Sequence, residues 1–223
     1  MCGRFAQFSE LDVLIERFGF DPGLVIIEPR YNIAPGQLAP VVVHDGRRCL
    51  QMMKWGLVPY WAKDAGVGYK MINAKAETVA QKPSFKKSFA ERRCLVVADG
   101  FYEWTSSVRG GEKIPMHIAL KSREPFAFAG LWDVWRSPEG EMLSTFTIIT
   151  TTPNELIQQI HNRMPVILRK EDEVRWLDPV EKNPVKLQLL LMPYEADEME
   201  MFRVSRAVNS AKNDSPLCIK EEP

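Results

Sequence analysis

The sequence predicts an α+β fold in which antiparallel strands form a barrel-like or packed-sheet core flanked by short helices. Three observations carry this. The middle of the chain holds successive apolar and alternating runs, "CLVVADGFYEW", "KIPMHIAL", "PFAFAGLWDVW" and "STFTIITT", punctuated by turn residues. Helical periodicity is confined to short stretches outside that region. The regular strand–helix alternation of a doubly wound parallel sheet is missing. With 223 residues the chain can bury a substantial core, and one domain is expected over residues 1–223, ending in an irregular tail from about residue 210.

Taken in order, "FSELDVLIERFGF" reads as a helix, capped by Ser9, carrying Leu11, Leu14, Ile15 and Phe18 on one face and ended by Gly19. "APVVVHDGRRCLQMMKWGLVP" reads as a hairpin. Val41 to Val43 and Leu50 to Met53 flank Asp45-Gly46, a pair that tolerates the positive φ of a tight turn. "PSFKKSFAERR" is a short basic helix with Ser84 as cap. Gly110-Gly111 and Pro138-Glu139-Gly140 mark turns between the central strands. In "TTPNELIQQIHNRMP" the pattern turns helical, with Thr152 as cap, Pro153 first in the helix and Glu155 third, as in a capping box. "RKEDEVRWL" and "NPVKLQLLLM" look helical and "EMEMFRVS" looks like a strand.

Composition narrows the function. Hydrophobic residues make up 45% and charged residues 26%, as in an ordinary globular protein. No apolar run approaches the ~20 residues of a membrane span, and the N-terminus lacks a signal-peptide pattern, so a cytoplasmic protein without a membrane partner is expected. Cys2, Cys49, Cys94 and Cys218 are scattered and His44, His117 and His161 lack zinc spacing, so no metal or other cofactor is expected. Cys49 and Cys94 enter apolar runs and read as buried strand residues. Zero formal net charge argues against a surface coated for duplex DNA but permits a local basic groove.

Several polar residues sit where folding alone would not put them. Cys2 follows the initiator methionine, whose removal would leave a 1,2-aminothiol. Such a group can use its amine as base for its thiol, or capture an aldehyde with both; an edge-strand cysteine is the plain alternative. Glu103 lies between Tyr102 and Trp104, where an apolar setting would raise its pKa and suit it to acid–base work, unless it faces solvent. His161, at the expected end of a helix, is either a cap favoured by the helix dipole or a proton shuttle. His44 and His117 look structural or exposed. Asn73, Lys75 and Glu77 alternate as on one strand face, either solvated or turned to a ligand. Arg4, Lys54-Trp55, Tyr60-Trp61, Lys86, Lys87, Arg163 and Arg206 interleave cations with aromatics, a pattern that suits single-stranded nucleic acid.

"MCGRF", "YNIAPGQ", "WGLVPYW", "NAKAET", "RRCLVVADGFYEW", "FAGLW", "FTIITT" and "IHNRMPVIL" together resemble, in order, the signatures of the SOS-response-associated peptidase (SRAP) domain, from Cys2 to Val208-Asn209. The resemblance implies a protein, expected to be monomeric, that traps abasic sites in single-stranded DNA. The Cys2 amine and thiol would close a thiazolidine on the sugar aldehyde. It implies that Glu103 promotes ring opening and proton transfer, that His161 shares the proton transfers and assists reversal, and that Asn73 positions the sugar and the Cys2 amine. Arg4 and Arg163 would meet phosphates, and Trp61 would lie near a flanking base. Lys75 stands where the family pattern has arginine, so a phosphate contact there would lose the bidentate fork.

The family name also claims proteolysis. Self-removal of Met1 fits that in a narrow sense, but no Ser-His-Asp or separate Cys-His-Asn set is evident for a general peptidase. Two other readings stay open. Class II glutamine amidotransferases also begin Met-Cys-Gly, though the remaining motifs lie elsewhere. A non-covalent single-stranded DNA binder would make Cys2 incidental.

Overall fold

A computed structural model describes residues 2–106 and 113–222. The Gly110-Gly111 turn lies outside them. Twelve strands fall into two sheets among the described residues. The smaller has the order β12 (Met199–Arg203), β8 (Lys113–Leu120), β7 (Gly100–Ser106), β1 (Phe5–Gln7), β2 (Arg30–Ile33). The larger runs β11 (Met164–Pro165), β10 (Met142–Thr151), β4 (Arg47–Trp55), β3 (Leu38–Asp45), β6 (Arg93–Ala98), β9 (Phe126–Arg136). It closes on itself, because β9 pairs with β6 through its first half and with β10 through its second. Gly130 marks the changeover, and a Cβ there would lie 2.7 Å from Cys94 Sγ. The expected barrel-like core is thus a ring of five strands, β10-β4-β3-β6-β9.

Period-two alternation sorts side chains into layers. Val41, Val43, Val96, Phe128, Phe146 and Ile148 point into the ring and meet Phe5, Phe101 and Ile118 of the smaller sheet. Val42, Leu95, Val97 and Ala129 point outward, where α1 (Leu11–Phe18), α2 (Pro83–Glu91) and α3 (Lys170–Leu177) cover them with Leu14, Phe18, Phe85, Phe89 and Trp176. Buried on both faces, β6 reads as one continuous apolar run. A third layer lies on the far side of the smaller sheet, where Val204, Val208 and Cys218 pack on Ala6 and Tyr102. The tail, which carries a 3-10 turn at Pro216–Cys218, is docked: Asn32 Nδ2 donates to the carbonyls of Val208, Ser210 and Asn213, and Asp214 accepts from the Tyr31 and Asn32 amides.

The Asp45-Gly46 turn forms, with Gly46 at φ 71°, and Gly19 ends α1 in the left-handed region. Elsewhere tertiary partners override local rules. "CLVVADGFYEW" breaks at Asp99 into β6 and β7, in different sheets, because the Asp99 carboxylate accepts from the Phe8 and Ser9 amides and the Ser9 hydroxyl. Ser9 therefore does not cap α1; Glu10 occupies that position without a side-chain bond. Nor does Ser84 cap α2, which starts one residue earlier at Pro83. The helix expected from Thr152 is only a 3-10 turn, Ile157–Gln159. Asn154, not Thr152, accepts from its first amide at 3.0 Å, while Asn154 Nδ2 reaches the Tyr194 carbonyl. In "NPVKLQLLLM" only α4, Pro184–Gln188, is helical. Cys94 is buried as expected, but Cys49 is only half-buried. No helix among the described residues is long and apolar enough to cross a membrane.

Candidate nucleic-acid site around Cys2

Cys2 lies three residues before β1, fully buried against the inner core. β1 runs between β2 and β7, and the Tyr102 amide donates to the Arg4 carbonyl at 3.0 Å, so the "MCGRF" and "DGFYEW" segments lie side by side. Alternation along β7 puts Glu103 on the same face as Phe101, turned inward at the rim of the core, and it is only 4% exposed. Burial raises the Glu103 pKa, opposed in part by nearby positive charge including His161. Burial also raises the Cys2 thiol pKa far above its ordinary value; the Glu103 carboxylate adds to the rise and a contact to the Arg4 carbonyl at 3.8 Å opposes it. Cys2 is accordingly a thiol near neutral pH, and it feels the charge of Glu103.

Asn73 arrives from β5 (Asn73–Lys75), which lies parallel to β10 and pairs Asn73 with Ile148 and Lys75 with Thr150. Its Nδ2 donates to the Cys2 carbonyl at 2.8 Å, which fixes the backbone of the cysteine. His161 follows the 3-10 turn, and its Nδ1 lies 3.0 Å from the Arg163 amide that donates to it.

A solvent-open hollow of about 490 Å³ is lined by Arg4, Glu103, Trp104, Lys113, His161 and Asn209. Arg4 is held at its wall: Nη1 donates to Asn32 Oδ1 at 2.7 Å and to the Val208 carbonyl at 2.8 Å, and its guanidinium stands 5.8 Å from the centre of the Trp104 ring. Trp104 Nε1 in turn donates to Asn209 Oδ1 at 2.7 Å. Arg4 Nε is buried without a hydrogen-bond partner. A larger hollow of about 800 Å³ is lined by Glu155, Asp172, Glu195 and Asp197, with Arg169 already paired to Glu195. Its charge is wrong for a polyanion.

Of the residues singled out from sequence, Cys2, Arg4, Asn73, Glu103 and His161 are brought together. Lys75 is exposed, two residues along β5 from Asn73. Arg163 lies beside it, donating to the Thr150 carbonyl and forming a two-pronged pair with Glu77, which holds the Glu77 carboxyl below its usual range. Glu77 therefore lies beyond the end of β5 and belongs to this pair, not to the strand face it was expected to share with Asn73. Trp61 is about half exposed, on the loop after β4. Trp55 and Lys54 part company: Trp55 is core, its Nε1 bound to the Ile72 carbonyl at 2.8 Å. His44 is exposed and His117 buried. Sequence reasoning missed Trp104, Lys113 and Asn209 as walls of the hollow. Trp104 and Asn209 lie within the span of the family resemblance, but nothing local distinguishes Lys113 from other surface lysines.

The SOS response associated peptidase (SRAP) domain matches residues 1–211 of the chain. The abasic site processing protein YoqW of Bacillus subtilis is 53% identical, with 99% of each chain covered. YoaM of the same organism is 49% identical over 100% of this chain and 99% of its own. The abasic site processing protein HMCES of Gallus gallus is 34% identical over 86% of this chain, which spans 66% of that longer protein. A crystal structure of a Bacteroides thetaiotaomicron protein superposes with a TM-score of 0.91 at 27% identity, covering both chains completely. Matched along almost its whole length and sharing this architecture, the chain belongs to the SRAP family.

Proposed function

We propose that the protein recognises abasic sites in single-stranded DNA and captures them covalently through Cys2 once Met1 has been removed. The reading rests on one juxtaposition: a 1,2-aminothiol precursor pinned by Asn73, beside a buried carboxyl whose pKa burial has raised. An abasic sugar in its open form presents an aldehyde at C1′. The Cys2 amine adds to that carbon, the carbinolamine loses water, and an imine forms. The thiol sulfur then adds to the imine carbon while its proton passes to nitrogen, closing a five-membered thiazolidine. Aldehyde, amine and thiol become thiazolidine and water, with no oxidant and no leaving group on the DNA.

Each residue has a matching task. Glu103 gives a proton to the departing hydroxyl and accepts one in the reverse direction, which a carboxyl with a raised pKa does well near neutrality. His161 shares those transfers across the hollow. Arg4 and Lys75 hold phosphates, and Arg163 joins them by exchanging one prong of its pair with Glu77. Keeping the thiol protonated disfavours direct attack by sulfur on an amide, because the thiolate is the nucleophile in such chemistry. That counts against a general peptidase or an amidohydrolase. The activity is therefore a self-modifying, lyase-like capture, with release of Met1 as its only processing step.

Intact-protein mass spectrometry, before and after incubation with a single-stranded oligonucleotide bearing one abasic site, tests this. Loss of Met1 and a heat-stable adduct are expected for the natural protein. Cys2→Ala should form none, and Cys2→Ser, which keeps an amine, only a labile imine trapped by borohydride. A stable adduct on Cys2→Ala would sink the mechanism.

A further inference from the structure

The loop after β4 leaves two aromatic side chains, Tyr60 and Trp61, each about half exposed, on an otherwise tightly held turn. Gly56 N donates to the Phe146 carbonyl at 2.8 Å, Val58 N to Thr145 Oγ1 at 2.8 Å and Tyr60 N to Asp133 Oδ2 at 2.9 Å. Trp135 Nε1 closes the set by donating to the Ala62 carbonyl at 2.7 Å. Asp133 is itself buried and paired with Arg92. A loop fixed at both ends and in its middle presents its aromatics already ordered, which lowers the cost of binding through them.

Against this loop lies α2. Its inner face buries Phe85, Ser88 and Phe89, while Lys86, Lys87 and the preceding Lys82 face solvent. The Lys87 ammonium stands 4.2 Å from the centre of the Tyr60 ring. Arg92, Lys170 and Lys186 are matched with carboxylates, but among the described residues Lys63, Lys82, Lys86 and Lys87 are in no ion pair. In a chain of zero net charge, four cations left unmatched around two ordered aromatics form a patch with one evident complement, a polyanion with flat bases.

β10 connects this patch to the Cys2 site. Lys54 pairs with Thr145 and Asn73 with Ile148 on the same edge of the strand, and Val58 bonds the Thr145 side chain. Three residues of strand, about 10 Å, separate the root of the aromatic loop from the residue that grips Cys2. We propose that Tyr60, Lys87 and the outward lysines of α2 form an extended subsite for the strand flanking the captured nucleotide, with a base on Tyr60 and phosphates along Lys87, Lys86 and Lys82. The inference rests on the abasic-capture reading and adds to it a second, non-covalent grip on one side of the lesion.

Capture kinetics on single strands of about 5 and about 15 nucleotides test it, bracketing the footprints of single-strand binders. The longer strands carry their extra length on either the 5′ or the 3′ side. At sub-saturating DNA, one of the two should be captured about 10-fold faster than the short strand. That advantage should fall to about 2-fold in Tyr60→Ala/Lys87→Ala. In Lys82→Glu/Lys86→Glu the salt slope of binding should drop by about 0.7 for each phosphate no longer neutralised. A full advantage in both folded variants overturns the subsite, as does equal capture of long and short strands by the natural protein. If the natural protein captures neither strand, the covalent reading itself fails, before any variant is compared.

Discussion

Two glutamates in this molecule are both buried, with burial raising the pKa of each, yet they occupy opposite circumstances. Glu173, at the junction of α3 with α1, is 2% exposed, and burial raises its pKa. Arg17 answers it with both prongs at 2.7 and 3.0 Å. Glu103 is 4% exposed and shifted in the same direction for the same first reason, but it borders a hollow shared with Arg4 and His161 and its charge acts on the buried Cys2 thiol. A raised pKa therefore does not identify an acid–base residue. What stands in front of the carboxyl separates the two: a fixed guanidinium makes Glu173 a structural tie, whereas Glu103 faces a solvent-open hollow, where the proposed acid–base role would be played.

Neutralising each carboxylate should separate the two. Glu103→Gln should slow capture by about 10²–10⁴-fold, the range for loss of a positioned acid–base group. Its stability near pH 7 should be equal or higher, because the amide carries no charge for burial to penalise. Stopped-gel kinetics with parallel thermal melts would check this; equal loss of stability and rate would make Glu103 another Glu173. Glu173→Ala should do the reverse. It strands Arg17 beside an apolar layer and should cost about 3–5 kcal/mol in urea unfolding, while the capture rate per folded molecule stays unchanged.

A third buried ionisable group sharpens the contrast through its sign. His117 packs between Tyr102 and Phe202, against Gly100, and burial pushes its pKa down to about 4. The folded chain resists protonating it, whereas the unfolded chain takes up the proton near 6.5. Its neutral form contributes stability that is intact above about 6.5 and lost as pH falls from there to about 4. Glu103 and Glu173, with raised values, favour the folded state more as pH falls through their window. His117→Phe should flatten the acid limb of stability by about 1–3 kcal/mol, seen in denaturant melts between pH 7 and pH 4. An unchanged limb would assign acid sensitivity to other groups.

The smallest expected effects concern the edge that carries Lys75, Glu77 and Arg163. Glu77→Gln should release the Arg163 fork and raise affinity for single-stranded DNA by about 2- to 5-fold, a change within the worth of an exposed ion pair. Lys75→Arg should raise it by a similar factor by supplying a planar fork. Fluorescence anisotropy at fixed salt would register both. A fall in affinity for Glu77→Gln would mean that the pair positions Arg163 and does not withhold it.

What was legible in the sequence follows from what is local. Strands announced themselves through alternation, and the Asp45-Gly46 turn through its need for positive φ. Ser9 and Ser84 met the rules for caps, but Asp99 took the Ser9 hydroxyl for a contact 90 residues away, and no local rule contains that partner. The expected helix at Thr152 failed likewise, since Asn154 spends its side chain on Tyr194. Cys2, Glu103, His161 and Asn73 were identified by motif order, and composition alone left each with a bland alternative. Asn32 sat in plain view in "YNIAPGQ" without a role; only the fold shows it holding Arg4 and the tail together.

That last arrangement has a temporal consequence. The Arg4–Val208 bond joins positions 204 residues apart, and Asn209 completes the same wall through Trp104. Until Val208 and Asn209 have docked, Arg4 and Trp104 lack the partners that complete this wall. Contacts so distant in sequence form late. The arginine wall of the hollow is thus completed only once the chain has brought together segments 204 residues apart.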